Sequence, residues 1–273
     1  MTEPLLVTGG TGTIGRRVVP LLRGAGCDVR VLSRHGGADS AGVVNVIGDT
    51  RRGAGLDAAF EGTATVLHLA GGPKGDDVAA RHVVDAALRA GTRHLVLISV
   101  TGAGEVPIGY VRAKDEAERI VRDSGVPFTI LRAAQLHELL LPVAVKLSAM
   151  RLVPHYVRLE PVDGAAVAAR LAELTLGAPA GRVADIVGPE TLTFAELVAQ
   201  YDAARGQRRR RIGIPVPGSL GRAYRDGANL ARGSVDRAGG TWREFVTRAV
   251  TAEVALPHAR SIVQPPPSGA APF

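Results

Sequence analysis

The chain has 273 residues, a formal net charge of +7 and a hydrophobic content of 46%. This length allows one large core with a small appended lobe, and the composition is typical of a soluble globular protein. The single cysteine, Cys27, excludes an internal disulfide and fits a reducing compartment, so we expect a cytoplasmic location. The longest apolar stretch is broken by Pro142 and contains Lys146, which argues against a membrane span.

The positive charge comes almost entirely from arginines that are spread along the chain. Residues 208–211 are all arginine, but no aromatic side chains interleave with them. We interpret this run as a solvated turn, and nucleic-acid binding is not expected. The expected partner is a small-molecule substrate, and the sequence does not indicate an oligomeric state. No metal site is predicted, because the seven histidines lack the spacing of metal ligands.

The first predicted strand, at residues 4–7, is followed by a glycine-rich turn and by a predicted helix at residues 14–22. Such a turn lets the backbone approach a pyrophosphate closely and directs the N-terminus of the helix at its negative charge. The order of strand, turn and helix therefore predicts a dinucleotide site. The predicted contacts are Gly9, Thr11, Gly12, Thr13, Ile14 and Gly15.

Short apolar runs without polar alternation recur along the first half of the chain and predict strands that are buried on both faces. They lie at residues 29–32, 43–47, 64–69, 94–99 and 128–131. Helices are predicted between them at residues 76–90 and 109–124, where Gly91 and Gly125 end the periodic pattern. This alternation predicts an α/β fold with a doubly wound parallel sheet of the Rossmann type.

After residue 132 the pattern changes, and the elements are mainly helical. Helices are predicted at residues 133–148, 162–176 and 193–205, and strands at 181–187 and 210–216. The third of these helices begins with a sequence typical of a capping box, in which Thr193 precedes Glu196 by three residues. Trp242, close to Phe245, is interpreted as a core residue rather than as a platform for substrate.

These elements predict three segments. Residues 1–133 form a dinucleotide-binding core, and residues 134–255 form a smaller, helical substrate lobe. The lobe is interleaved with the core through a strand near residues 183–187 that returns to the sheet. Residues 256–273, which contain three consecutive prolines, are expected to be a disordered tail.

The end of the second predicted strand indicates which coenzyme binds. In NAD-binding proteins of this class an acidic residue usually ends this strand and binds the adenosine ribose. Here Ser33 and Arg34 stand there instead, and a guanidinium suits a 2′-phosphate. We therefore predict NADP(H) as the coenzyme, with NAD less favoured. Asp49 and Thr50 follow the third strand, and Asp49 is placed to meet the adenine amine.

Tyr110 and Lys114 are four residues apart on a predicted helix, so their side chains share one face. Reduction of a carbonyl needs a proton donor at the oxygen, and a phenol with a pKa of about 10 is a poor one at neutral pH. A neighbouring ammonium, together with the positive charge of oxidised nicotinamide, lowers that pKa toward the working range. Ser99, at the end of a predicted strand, is a candidate donor to the substrate oxygen, and Thr101 competes with it for this role.

These motifs together resemble the short-chain dehydrogenase/reductase superfamily, and most closely its atypical, NmrA-like branch of NAD(P)H-binding proteins. The resemblance rests on the glycine-rich run at residues 8–15, on the Tyr110-x-x-x-Lys114 pair and on residues 125–132. It implies that Tyr110 is the acid/base, that Lys114 anchors the nicotinamide ribose, and that Ser99 or Thr101 orients the substrate. It also implies backbone contacts to the coenzyme from Leu69, Ala70 and Gly71.

The favoured function is that of an NADP(H)-dependent oxidoreductase acting on a small or mid-sized carbonyl, quinone or enone. The alternative is a non-catalytic, NmrA-like regulatory protein that senses NAD(P)H, although such a sensor would not need the phenol of Tyr110. A nucleotide-sugar epimerase is less favoured, because the lobe shows no obvious second phosphate site. Arg158 and Arg182 stay open as candidates for one. Four residues of the lobe are candidates for the wall of the substrate crevice: Gln135, His137, Tyr156 and Tyr224.

Overall fold

A computed structural model describes residues 3–255, with side chains through residue 252. The expected disordered tail at residues 256–273 lies outside the described residues. Thirteen strands occur in this part of the chain: β1 (Leu5–Thr8), β2 (Val29–Ser33), β3 (Val43–Ile47), β4 (Thr65–His68), β5 (His94–Val100), β6 (Phe128–Ala133), β7 (Leu152–Pro154), β8 (Arg158–Leu159), β9 (Gly181–Arg182), β10 (Asp185–Val187), β11 (Leu192–Thr193), β12 (Ile212–Ile214) and β13 (Val235–Arg237).

The same residues contain nine helices: α1 (Gly15–Gly24), α2 (Leu56–Phe60), α3 (Asp76–Ala90), α4 (Gly109–Asp123), α5 (His137–Met150), α6 (Gly164–Leu176), α7 (Phe194–Ala204), α8 (Gly218–Arg225) and α9 (Trp242–Ala255). The capping box predicted at the start of the third lobe helix is confirmed, since Thr193 and Glu196 bond reciprocally at the start of α7.

Nine strands form one parallel sheet in the order β3-β2-β1-β4-β5-β6-β10-β13, with β9 also paired to β6. The strand order reverses between β1 and β4, so a crevice opens at their carboxyl ends, where ligands bind in such sheets. The predicted doubly wound parallel sheet is confirmed.

The sheet is covered on both faces by separate apolar clusters. On one face, side chains of α1 and α6 pack against the strands, with Val18 and Leu171 fully buried. On the other face, α2, α3 and α4 contribute Phe60, Val83 and Val121. The absence of polar alternation in the inner strands follows from this double cover, because their two faces are buried. The edge strand β3, by contrast, leaves Val44 and Ile47 exposed.

The lobe has an apolar cluster of its own, formed mainly by α5, α7 and α9. At its centre Trp242 is fully buried, and its indole Nε1 donates to the carbonyl of Leu197 at 2.9 Å. The interpretation of Trp242 as a core residue is thus confirmed. A smaller cluster joins α8 to the start of α4, where Leu220 and Ala223 pack near Val111.

Two elements differ from the prediction, and each difference has a physical reason. The helix predicted from residue 133 begins at His137, because β6 runs on to Ala133 and Leu136 then bridges to Val162. The single strand predicted at residues 181–187 is divided into β9 and β10. Ile130 pairs with Arg182, whereas Ala133 pairs with Ile186. The segment that contains β9 and β10 therefore has one more residue than the stretch of β6 that it faces. Such an insertion is a bulge, and it interrupts the strand.

Candidate active site

The glycine-rich turn packs tightly against its own neighbours. Gly9 has a φ of +72°, and a Cβ there would lie 2.7 Å from the backbone nitrogen of Ala70. A Cβ on Gly15 would lie 2.3 Å from the carbonyl oxygen of Gly9. At Gly12, by contrast, the nearest such atom is the Gly9 oxygen at 3.2 Å, and the residue is exposed. The turn is therefore closed toward the protein and open at Gly12, as a cradle for a pyrophosphate requires.

The N-terminus of α1 faces this open side without a protein group to neutralise it. Within the described residues, no side chain caps the helix, and its first turn contains no acidic residue. The unpaired amides and the positive end of the helix dipole are thus available to an anion. Thr11 is exposed and Thr13 is half-buried, whereas the side chain of Ile14 is buried in the core. The predicted contact of Ile14 would consequently be made by its backbone.

The turn after β4 is tied to the end of β1 by hydrogen bonds. Leu69 N donates to the carbonyl of Thr8, and Ala70 N donates to Thr8 Oγ1 at 3.2 Å. Thr8 Oγ1 also lies 2.6 Å from Nδ1 of His68. The pKa of His68 is lowered to about 4, chiefly by burial and also by the charge of Lys114, while the charge of Asp76 opposes the shift. His68 is therefore neutral at pH 7 and can accept the Thr8 proton.

Lys114 is buried in an ion pair that the sequence did not indicate. Its Nζ lies 2.9 Å from Oδ2 of Asp76, with alignment poorer than that of a hydrogen bond, and it donates to the carbonyl of Ile98 at 3.3 Å. Asp76 is the first residue of α3, and its Oδ1 accepts from Gly72 N at 2.9 Å. A Cβ on Gly71 would lie 3.2 Å from Lys114 Nζ. The ammonium therefore stands directly beside the turn at which coenzyme contacts are predicted.

Tyr110 lies in the first turn of α4, one helical turn before Lys114, and is 36% exposed. Its pKa is raised above the usual value, chiefly by burial of the hydroxyl. Lys114 lowers this pKa, as predicted, but Asp76 raises it. Desolvation therefore outweighs the effect of Lys114, which Asp76 partly opposes, and the further lowering expected from the charge of oxidised nicotinamide stays a prediction.

Ser99 and Thr101 differ in what their hydroxyls contact. Thr101 Oγ1 donates to the carbonyl of Asn229 at 3.1 Å. Ser99 Oγ is buried and has no hydrogen-bond partner among the described residues. Alternate residues of a strand share a face, and Leu97 packs in the cluster formed with α3 and α4, so Ser99 also faces α4. Of the two candidates, Ser99 is the one whose hydroxyl remains available.

At the predicted adenine end, Ser33 is engaged by the protein, whereas Arg34 has no partner among the described residues. Ser33 Oγ donates to the carbonyl of Gly36 at 2.8 Å, so this hydroxyl already stabilises the loop. Arg34 is exposed, and it has no ion pair or hydrogen bond within residues 3–255. Asp49 Oδ1 accepts from Arg51 N at 2.9 Å. Thr50 is buried, and its carbonyl accepts from Nδ1 of His82.

The candidates for the crevice wall lie in different surroundings. His137 packs against Trp242 and Phe245, and its Nε2 donates to the carbonyl of Pro161 at 3.2 Å. Because it is fully buried in the lobe, it does not line a crevice, contrary to the expectation. Gln135 Oε1, by contrast, is buried and unpaired in the part of the chain that the structure describes.

The two tyrosine candidates also differ from each other. Tyr224 packs against the apolar cluster of the lobe, whereas Tyr156 is exposed and stacks on His155. Among the described residues, no group of three or more His, Cys, Asp or Glu side chains could hold a metal ion. No described helix is long and apolar enough to cross a bilayer.

Comparisons with known proteins identify the family. Residues 9–150, about half of the chain, match the NAD(P)H-binding family. This chain belongs to the NAD(P)H-binding family. The predicted resemblance is confirmed, and the glycine cradle, the uncapped α1 and the unpaired Ser99 fit such a coenzyme.

Two relatives carry names of reductases. A (4-alkanoyl-5-oxo-2,5-dihydrofuran-3-yl)methyl phosphate reductase from Streptomyces griseus is 34% identical over 214 residues, which are 74% of each chain. An NAD(P)H azoreductase from Xenophilus azovorans is 29% identical over 223 residues, 78% of this chain and 77% of the relative. The chain is accordingly an oxidoreductase, as predicted. The prediction of NADP(H) as coenzyme is supported by the family, whose description covers both forms of the coenzyme.

Solved structures resemble this fold at low sequence identity. An NADPH-dependent quinone oxidoreductase from Escherichia coli has a TM-score of 0.75 and 20% identity, covering 90% of this chain and 99% of that one. A nucleoside-diphosphate-sugar epimerase from Staphylococcus aureus has a TM-score of 0.76 and 18% identity, covering 89% and 99%. At such identities the likeness establishes the common fold and leaves the reaction open.

Proposed function

We propose that the protein catalyses NADP(H)-dependent hydride transfer to or from a small or mid-sized carbonyl, quinone or enone, with Tyr110 as the acid/base. The observation that carries this proposal is the buried Lys114, which contacts the Gly71 turn and stands one helical turn from Tyr110. A phenol beside an ammonium at the carboxyl edge of a dinucleotide-binding sheet is the arrangement that carbonyl reduction needs.

In this proposal each residue has a distinct task. Gly9, Gly12 and Gly15 bind the pyrophosphate through the backbone of the turn. Lys114 holds the nicotinamide ribose, and Ser99 donates a hydrogen bond to the substrate oxygen. When bound, the reduced nicotinamide supplies a hydride. The Tyr110 hydroxyl donates a proton to the substrate oxygen in reduction and takes it back in oxidation.

The names of the relatives favour a conjugated, reducible substrate. The relative from S. griseus reduces an oxo-dihydrofuran that carries an alkanoyl group and a methyl phosphate, and the relative from X. azovorans is named for azo reduction. Both descriptions are compatible with hydride addition to an electron-poor double bond. The choice of NADP(H) rests on Arg34, whose guanidinium is free to pair with a 2′-phosphate. The cytoplasmic location stays a prediction.

One observation favours the alternative of a non-catalytic sensor of NAD(P)H. The pKa of Tyr110 is raised rather than lowered, which makes the phenol a weaker acid in this state. A sensor would bind the coenzyme with the same cradle and would not depend on the proton of Tyr110. The experiment described next, which measures both turnover and NADPH binding, separates the two functions.

The decisive experiment follows NADPH oxidation with a panel of quinones, enones, aldehydes and azo dyes, for the wild type and for Tyr110→Phe. Loss of the proton donor should lower kcat about 10²–10⁴-fold. The affinity for NADPH, titrated by its fluorescence, should not change. Tyr201→Phe, in the buried core of the lobe, is the matched control and should keep its kcat.

Two results would count against the proposal. Undiminished turnover in Tyr110→Phe would remove Tyr110 from the mechanism. Tight NADPH binding without turnover of any class of substrate would favour the sensor instead.

A further inference from the structure

The lobe contains a groove of about 370 Å³ that is lined by Tyr156, Arg158, Thr193 and Arg225. We propose that Arg158 and Arg225 bind a phosphate monoester group of the substrate, which extends from this groove toward the crevice at Tyr110. This inference rests on the proposed function for the reacting end of the substrate, whereas the anion site itself can be tested without turnover.

The two arginines converge from different elements of the lobe. Arg158 lies on β8, directly opposite Thr193 of the antiparallel strand β11. Arg225 is the last residue of α8. A Cβ on Gly227, two residues further, would lie 3.3 Å from Nη2 of Arg158, so this guanidinium stands over the turn that follows α8. The groove therefore has a cation on each of two walls.

Neither guanidinium is neutralised by the protein. Arg158 and Arg225 are exposed, and their side chains have no ion pair or hydrogen bond within residues 3–255. Many other arginines of the chain do pair with carboxylates, for example Arg132 with Glu118 and Arg182 with Asp185. Two unpaired guanidinium groups lining one concavity repel each other and attract a divalent anion. Each can also bind two phosphate oxygens at once.

Among the described residues, one carboxylate is bonded to a residue that lines the groove, and its bonding oxygen is already engaged. Glu196 accepts from both the backbone nitrogen and the hydroxyl of Thr193 at 2.8 Å, as part of the capping box. The Thr193 side chain therefore lines the groove, but its hydroxyl is already engaged. Tyr156, exposed at the rim, adds an aromatic surface for the organic part of a phosphate ester.

Contacts through Asn229 connect the groove to the carboxyl end of β5. Asn229 Nδ2 donates to the carbonyl of Arg158 at 2.6 Å, and the carbonyl of Asn229 accepts from Thr101 Oγ1 at 3.1 Å. Thr101 is two residues beyond Ser99. In addition, α8 packs against Val111, the residue after Tyr110. A phosphate bound between the two arginines therefore lies beside the elements that carry the proposed catalytic groups.

The test measures binding of phenyl phosphate by calorimetry to the NADPH-saturated full chain, with phenol as the neutral control. The double variant Arg158→Gln/Arg225→Gln should bind phenyl phosphate about tenfold more weakly, or worse, since charge-assisted hydrogen bonds are lost. Binding of phenol should not change. The matched control, Arg208→Gln/Arg210→Gln, removes the same two charges from exposed lobe positions and should alter the affinity by less than about twofold.

Each outcome decides the inference. It is overturned if the wild type does not bind phenyl phosphate at about 10 mM, a very weak affinity, or if both double variants lose binding equally. Thermal unfolding and NADPH titration of the variants distinguish a lost site from a lost fold. If the wild type does not bind NADPH, the proposed function fails, and the phosphate titration without coenzyme still decides the groove.

Discussion

The coenzyme half of the molecule and the lobe are held together in different ways. In the first half, strands of four to seven residues form a sheet that is covered on both faces except at its edge strand β3, and the turn between β1 and α1 depends on backbone contacts at glycines. In the lobe, the two- and three-residue strands β7, β8 and β11 contribute to one apolar cluster, whereas β9, β10 and β13 join the main sheet. From this comparison we expect that coenzyme binding depends on backbone geometry, whereas substrate binding depends on individual side chains. It can be tested by changes in either half.

The largest effect is expected for Trp242→Ala in the lobe. Removal of a fully buried indole should lower the free energy of unfolding by about 3–5 kcal/mol. Urea unfolding measures this loss, and NADPH titration of the folded fraction should give the wild-type affinity. Leu139→Ala, at an exposed position of α5, should cost less than about 0.5 kcal/mol. A weaker NADPH affinity in folded Trp242→Ala would contradict the separation of the two halves.

A pH effect is expected in the coenzyme half, at His68. Its pKa is lowered to about 4 by burial, so at lower pH the unfolded chain binds a proton that the folded chain does not. The free energy of unfolding should therefore fall as pH decreases from 6.5 to about 4, by up to roughly 3 kcal/mol. Denaturant unfolding at several pH values checks this for the wild type and for His68→Gln. Parallel pH profiles of the two proteins would refute the role of His68.

Gly15→Ala should disturb the coenzyme cradle itself. Its Cβ would lie 2.3 Å from the carbonyl oxygen of Gly9, so the turn must shift. We expect a loss of about 1–3 kcal/mol in stability and an NADPH affinity at least about tenfold weaker. Gly24→Ala, at the end of the same helix with no atom within 4 Å, is the matched control and should bind NADPH normally. Normal binding by Gly15→Ala would mean that the turn tolerates a shift.

The smallest effect concerns coenzyme choice. Arg34→Gln should weaken NADPH binding about tenfold, because one charge-assisted contact to the 2′-phosphate is lost, and should leave NADH binding unchanged. Parallel titrations with both coenzymes measure the ratio. Arg30→Gln removes the same charge from β2, where the guanidinium bonds to the carbonyl of Ala59, and should not alter the ratio. Equal losses for both coenzymes would assign Arg34 a role other than recognition of the phosphate.

Most of the sheet could be predicted from the sequence, because a strand buried on both faces has a local signal. The run His94–Val100 is apolar for almost its full length, and Gly91 marks the end of the preceding helix. The bulge between β9 and β10 has no such signal. It depends on the register against β6, which is set by residues about fifty positions earlier.

The site could also be predicted in part, where its signal is local in the sequence. Tyr110 and Lys114 share a helix, so their spacing alone indicates that they are neighbours. Asp76 was missed because its contact with Lys114 arises from the packing of α3 against α4, and its own sequence context is that of an ordinary first helical turn. The raised pKa of Tyr110 could not be predicted either, since desolvation depends on the complete fold.

The contact between Lys114 and Asp76 also affects how much conformational entropy is lost when a ligand binds at this position. A lysine at the surface samples many rotamers, and fixing it upon association weakens the complex. Here the ammonium is already anchored and largely dehydrated by a carboxylate that is itself held by Gly72. If Lys114 binds the nicotinamide ribose as proposed, the ribose meets a preorganised cation, and little conformational entropy of this side chain remains to be lost.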